Sequence, residues 1–272
     1  MARVKGILQV TGGMKGVSMY TMRGSEEVIM RTKGGPSKNT IKNSDSCKGL
    51  RDSGTEWSGC TKAASAIRRA LEPILRLADY NVMGGLNAVC KKIQCMDTEN
   101  EKGKRNVLVT ENLQFLTDFD FNKTNPFNRV IRVQPTWQIN RETVSATITI
   151  PVFNPNEHLV APNKLPYMRF VALLGVCTNV HYDEASKSYA PGNQQLLGYR
   201  REVQTAWNPV KRNLPEQTLY VQLEDIAEYL TESDTLVLAI GVEFGTVGAD
   251  GEGEAVKWAG CGKIVGGNEV LL

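Results

Sequence analysis

The chain has 272 residues, of which 41% are apolar and 22% charged, and its net charge is +3. Those values exclude wholesale disorder and give enough chain for one large domain or two small ones. No apolar run approaches the roughly 18 residues of a membrane helix. Gly12, Gly13, Lys15 and Gly16 interrupt the start too early for a secretory leader, so the chain is expected to be made in the cytoplasm without a signal peptide.

In chain order, residues 4–30 read as a short β-meander. Val4, Ile7, Leu8 and Val10 form a first strand, and Ser18, Tyr20 and Met22 alternate with Val17 and Met19 in a second. Val28-Ile29-Met30 is a third, with turns at Gly12–Gly16 and Arg23-Gly24-Ser25. Three such strands cannot bury a core alone. Residues 31–56 hold only Ile41, Cys47 and Leu50 as clearly apolar positions and no aromatic, so they are expected to be an extended basic arm.

Trp57, Cys60, Ala64, Ile67, Leu71 and Ile74 then follow helical spacing, with a break expected at Pro73. Met83, Leu86, Cys90 and Ile93 mark a second helix, in which Gly84-Gly85 weakens the pattern or admits another backbone. A short helix is expected at 110–116. From Phe119 the signal is β. Val144, Ala146, Ile148 and Ile150 alternate with Ser145, Thr147 and Thr149, and further strands are expected near 129–139, 167–178, 196–207, 218–223, 235–245, 254–261 and 263–271. One short helix is expected at 224–230. The fold class is therefore α+β, mainly β: meander and arm (1–56), a helical segment (57–117) and an antiparallel β-sandwich (118–272).

Charge is unevenly placed. Residues 1–70 carry thirteen Lys or Arg against five acids, whereas residues 213–272 carry two Lys against eleven acids. The candidate basic contacts are Arg23, Arg31, Lys33, Lys38, Lys42, Lys48, Lys62, Arg68 and Arg69. The candidate acidic partners are Glu224, Asp225, Glu228, Asp250, Glu252 and Glu254. Opposite charge at the two ends suits contact between them, within one chain or between copies. The basic end alone, with Arg76, suits nucleic acid.

Enzyme signatures are weak. The six cysteines form no Cys-x-x-Cys pair, which argues for reduced core thiols over zinc. His158 and His181 are the only histidines and read as loop or surface residues, and there is no Gly-x-Ser-x-Gly elbow. The glycine-rich 248–254 segment is acidic and would repel phosphate. It reads as a hairpin loop, with weak calcium binding by Asp250, Glu252 and Glu254 as the sharper alternative. Asp118 and Asp120 alternate with Phe119 and Phe121 as in an ordinary strand. No cofactor is expected. Trp137, Trp207 and Trp258 fall in strand patterns, where core or interface packing is their commoner fate, with a platform for carbohydrate or another protein as the alternative.

Met1-Ala2-Arg3-Val4-Lys5-Gly6-Ile7-Leu8, Ser18-x-Tyr20 and Lys33-Gly34-Gly35 resemble the N-terminus of a family of conserved, uncharacterised proteins of Bacteroidota. That family continues with an Arg-x-x-Gly-x-Glu-Phe box, which here reads Arg51-Asp52-Ser53-Gly54-Thr55-Glu56-Trp57, before the helix Lys62–Leu71. Trp57 departs from the usual Phe. Lys104-Arg105-Asn106-Val107 and Ile240-Gly241-Val242-Glu243-Phe244 are similar too, although the likeness is clearest over residues 1–75. The resemblance implies a bacterial or phage-related origin and carries no catalytic residue. The function expected is a non-catalytic, self-assembling structural subunit (filament, tube or particle) whose main partner is another copy of itself. Nucleic-acid binding by the basic arm and first helix is the alternative. The place expected is the cytoplasm or a phage-like or other assembled particle.

Overall fold

The computed structural model describes residues 2–4, 10–22, 27–32, 34–162, 164–224, 226–248 and 253–267. It divides into two compact units, Met1–Arg51 and Asp52–Leu272. The class is α+β, mainly β.

In the first unit, β1 (Ala2–Val4), β2 (Gly12–Met14), β3 (Val17–Thr21) and β4 (Val28–Thr32) form an antiparallel sheet in the order β1-β4-β3-β2. Gly16, at φ +82°, makes the tight turn from β2 to β3. The register places Met14 opposite Val17, Met19 opposite Met30 and Thr21 opposite Val28. Because strand side chains alternate, Met14, Val17, Met19, Val28 and Met30 share one face, and Ser18, Tyr20, Ile29 and Arg31 share the other.

The stretch expected as an extended arm is largely helical. Ser37 caps α1 (Lys38–Asn43) by accepting the Thr40 N–H at 3.1 Å. Arg51 donates to the carbonyls of Ile41 and Ser44, both at 2.7 Å, and so closes the chain back on the end of α1. Residues 48–56 already belong to α2 (Lys48–Ala70). Low hydrophobicity was a poor guide here, because a side-chain cap and one arginine satisfy backbone groups that an extended arm would give to water.

The second unit holds α3 (Met83–Met96), α4 (Phe127–Val130), β5 (Thr136–Asn140), β6 (Ser145–Ile150), α5 (Pro155–His158), β7 (Tyr167–Thr178), β8 (Val180–Asp183), β9 (Ser188–Pro191), β10 (Arg200–Gln204), β11 (Asn208–Pro209), β12 (Gln217–Gln222), β13 (Asp234–Val247), β14 (Gly253–Ala255) and β15 (Cys261–Gly267). The helix expected across Pro73 breaks there: α2 stops at Ala70 and a 3-10 segment, Glu72–Leu77, carries the proline in its first turn. The helix expected at 110–116 is a 3-10 turn at Leu113–Phe115, and that at 224–230 is one at Ala227–Tyr229.

The spine of this unit is the antiparallel ribbon of β7 and β13, in register from Asp234 opposite Thr178 to Gly245 opposite Tyr167. It is buried on both faces. Phe170, Ala172, Leu174, Leu238, Ile240 and Val242 face a core shared with β6 and β12. Leu173, Cys177, Val237 and Ala239 face a second core shared with α2, α3 and the Glu72–Leu77 turn. Helices therefore lie on one face of the central sheet and the β12-β6-β5 sheet on the other. The two sheets run on past β10 and β12, giving a half-barrel with β5 and β15 at its open ends. Where a strand was expected at 254–261, β14 and β15 pair separately with β13, and residues 256–260 bulge out between them.

Candidate assembly surfaces and buried ionic networks

The basic positions read from sequence are divided between the two units. Arg23 and Lys33 lie outside the described residues. In the first unit, Arg31 lies 5.5 Å from the Tyr20 ring, a cation–π contact on the polar face of the sheet. Lys38, Lys42 and Lys48 are exposed on α1 and the start of α2. In the second unit, Lys62 is engaged within the chain, donating to the Tyr189 carbonyl at 2.5 Å. Arg68 and Arg69 are exposed on α2.

Of the acidic positions, Asp225, Asp250 and Glu252 lie outside the described residues, and so does most of the loop considered for calcium. Glu224 is already paired with Arg201 at 2.6 Å. Glu228 and Glu254 are exposed on separate elements. No cluster of His, Cys, Asp or Glu suited to a metal ion occurs among the described residues. No helix among them is long and apolar enough to cross a membrane.

Two sheet faces are better candidates for contact. The first is the apolar face of the N-terminal sheet. Only Val28 on it is fully buried, Met14 is 65% exposed, and α1 contributes no buried residue of its own. The second is the outer face of the β12-β6-β5 sheet. Its cross-strand rows are Thr136-Thr149-Thr218, Gln138-Thr147-Tyr220 and Asn140-Ser145-Gln222. None of these positions is charged, and absence of charge marks the centres of protein interfaces.

The strongest electrostatics are buried and internal. Glu56 is 1% exposed. Its carboxylate accepts Arg105 Nε at 2.6 Å and Nη2 at 2.8 Å, Lys91 Nζ at 2.6 Å and the Gly103 N–H at 3.0 Å. Burial alone would raise its pKa, but the Arg105, Gly103 and Lys91 bonds outweigh that and hold it at about 2. Gln94 completes the cluster by donating to the backbone carbonyls of Glu56 and Arg105 at 3.1 and 3.0 Å. Trp57, expected on the buried stripe, is 49% exposed instead, and Glu56 takes the inward position.

Arg76 is likewise engaged within the chain. It forms a fork to Glu202 at 2.5 and 2.8 Å and a further bond to Glu243, which also accepts Arg169 at 2.6 Å. Burial would lower its pKa, but Glu202 and Glu243 raise it. Arg169 in turn sits 4.5 Å from the Trp207 ring. His158 accepts the Asn154 N–H at its Nδ1, and His181 is half-buried on β8 with its pKa lowered by burial against the opposing pull of Glu111 and Asp97. All six cysteines are free, and Cys60, Cys90, Cys177 and Cys261 are core residues, as expected of small hydrophobic side chains.

Sequence reasoning missed Arg105, Glu202 and Glu243 as partners because each lies more than forty positions from the residue it pairs with, leaving no local spacing to read. The one available signal was an acid or base at an otherwise apolar position, such as Glu243 between Val242 and Phe244. Comparison with protein-family models, curated proteins and solved structures gives no match. The N-terminal resemblance therefore stands as an expectation.

Proposed function

We propose that this chain is a non-catalytic structural subunit that assembles with copies of itself. The observation that carries the reading is the N-terminal sheet: four short strands with an apolar face on which Met14 is exposed, Val17, Met19 and Met30 are half-buried and Val28 alone is buried. Such a sheet gains stability by packing against another surface. The uncharged outer face of the β12-β6-β5 sheet in a second copy is the acceptor. That pairing is heterologous, so it propagates into a ring or a filament. The excess of basic residues at the front and acidic residues at the rear favours the same head-to-tail order. The buried ion networks support the non-catalytic part, because their charges are spent on one another.

Nucleic-acid binding is the second reading, favoured by the exposure of Lys38, Lys42 and Lys48 on neighbouring helices. It predicts co-purifying nucleic acid that salt removes.

The test is truncation. A chain lacking residues 1–47, the last before α2, is expected to be soluble, folded and unassembled. Tyr220→Lys, on the acceptor face, is expected to give the same loss in the full chain. Normal assembly of the truncated chain would overturn the proposal.

A further inference from the structure

Residues 118–121 hydrogen-bond along the outer edge of β15 from Gly262 to Ile264, and just beyond them Trp137 of β5 lies over Gly266. A Cβ placed on Gly266 would lie 2.5 Å from the Cη2 and Cζ2 atoms of the indole, so only glycine lets the ring lie over β15. Trp137 belongs to the core-facing row of its sheet, beside Ile148 and Leu219, yet 42% of it is exposed. A groove of about 610 Å³ opens there. It is also lined by Gln114, Thr117 and Asp118, all exposed. Asp118 is fixed by an ion pair of 2.7 Å to Lys263, whose side chain is 8% exposed, and its backbone is in the left-handed region at φ +61°.

The lining thus combines a half-exposed indole with an amide, a hydroxyl and a carboxylate. We propose that this groove binds a saccharide. The apolar C–H face of a pyranose ring stacks on Trp137, and its hydroxyls exchange hydrogen bonds with Gln114, Thr117 and Asp118. The volume falls within the usual range for small ligands, about 300–1,000 Å³. A nucleotide would stack equally well, but the described lining offers its phosphate a carboxylate and no cation. A fatty chain would cover the three polar side chains without offering them a hydrogen bond. A neutral polyol with one flat apolar face suits both the indole and the polar lining. The site does not depend on assembly, and its failure would leave the proposal above standing.

The test is NMR of the full chain labelled with nitrogen-15. The four tryptophans give four indole N–H signals, and Trp137→Phe identifies the one that matters. Cellobiose, lactose, maltose and chitobiose are titrated, with acyclic sorbitol as control. The Trp137 signal is expected to move and saturate with at least one disaccharide in the millimolar range and to ignore sorbitol. Gln114→Ala and Asp118→Asn should each weaken that binding about five- to tenfold, the loss of one hydrogen bond. Gln114→Ala lies on an exposed turn and keeps the test valid if Asp118→Asn folds poorly. A Trp137 signal unmoved by all four disaccharides, equal movement with sorbitol, or undiminished binding by Gln114→Ala would each overturn the proposal.

Discussion

Glu56 shows how one side chain can organise a helix. α2 approaches its neighbours closely: a Cβ on Gly59 would lie 2.8 Å from the Tyr189 ring, and the inward positions are Cys60, Ala63 and Ala64. An indole does not fit such a surface, so Trp57 turns outward, and the inward place goes to a carboxylate met by Arg105, Lys91 and Gly103. The pKa of Glu56 falls from 4.5 to about 2 on folding. A depressed carboxylate contributes stability that is present above its unfolded pKa and lost as pH falls toward its folded pKa. That contribution, roughly 3 kcal/mol, should disappear between pH 4.5 and 2. Glu56→Gln should cost about 2–4 kcal/mol in urea melts at pH 7, because Lys91 and Arg105 lose their counterion. The cost should shrink near pH 2.5, and an equal cost at both pH values would contradict this role. Two segments picked out from sequence, Arg51–Trp57 and Lys104–Val107, meet in this cluster through Glu56 and Arg105. Sequence marked the segments but could not show that they pair.

At the scale of elements, glycine positions separate tight contacts from open ones. A Cβ on Gly175 of β7 would lie 2.6 Å from the Ala70 carbonyl oxygen, so the end of α2 rests on bare backbone there. Gly175→Ala should destabilise by about 1–3 kcal/mol. Gly54, inside α2, has nothing within 4 Å of the same position, and Gly54→Ala should stabilise by about 0.5–1 kcal/mol through helix propensity. Thermal melts of the two variants should shift in opposite directions, and a shared direction would refute the packing described. The strands β7 and β13 were legible from sequence almost to the residue, because continuous apolar runs mark strands buried on both faces. The helices were legible from spacing, and Pro73 marked their break. The arm was misread because capping by Ser37 and Arg51 leaves little hydrophobic trace. The bulge at 256–260 was misread as strand because its composition matches the strands beside it. The layering and the groove at Trp137 depend on contacts distant in sequence and had no local signature.

At the scale of the whole molecule, unlike charge at the two ends of the chain was plain from composition, but most of the candidate residues are either paired internally or scattered over separate elements. What the fold adds is a pair of uncharged sheet faces, one apolar on the N-terminal unit and one polar on the second. In the proposed assembly, burial of the apolar face supplies the driving force for contact between copies. The long-range charge asymmetry then sets which ends approach. Salt should therefore slow assembly more than it weakens the assembled state. The most direct measurement is native mass with negative-stain imaging of nuclease-treated protein at low and moderate salt. The account predicts large regular particles, rings or filaments that persist in both conditions. A monodisperse species of 30.0 kDa in both would contradict it.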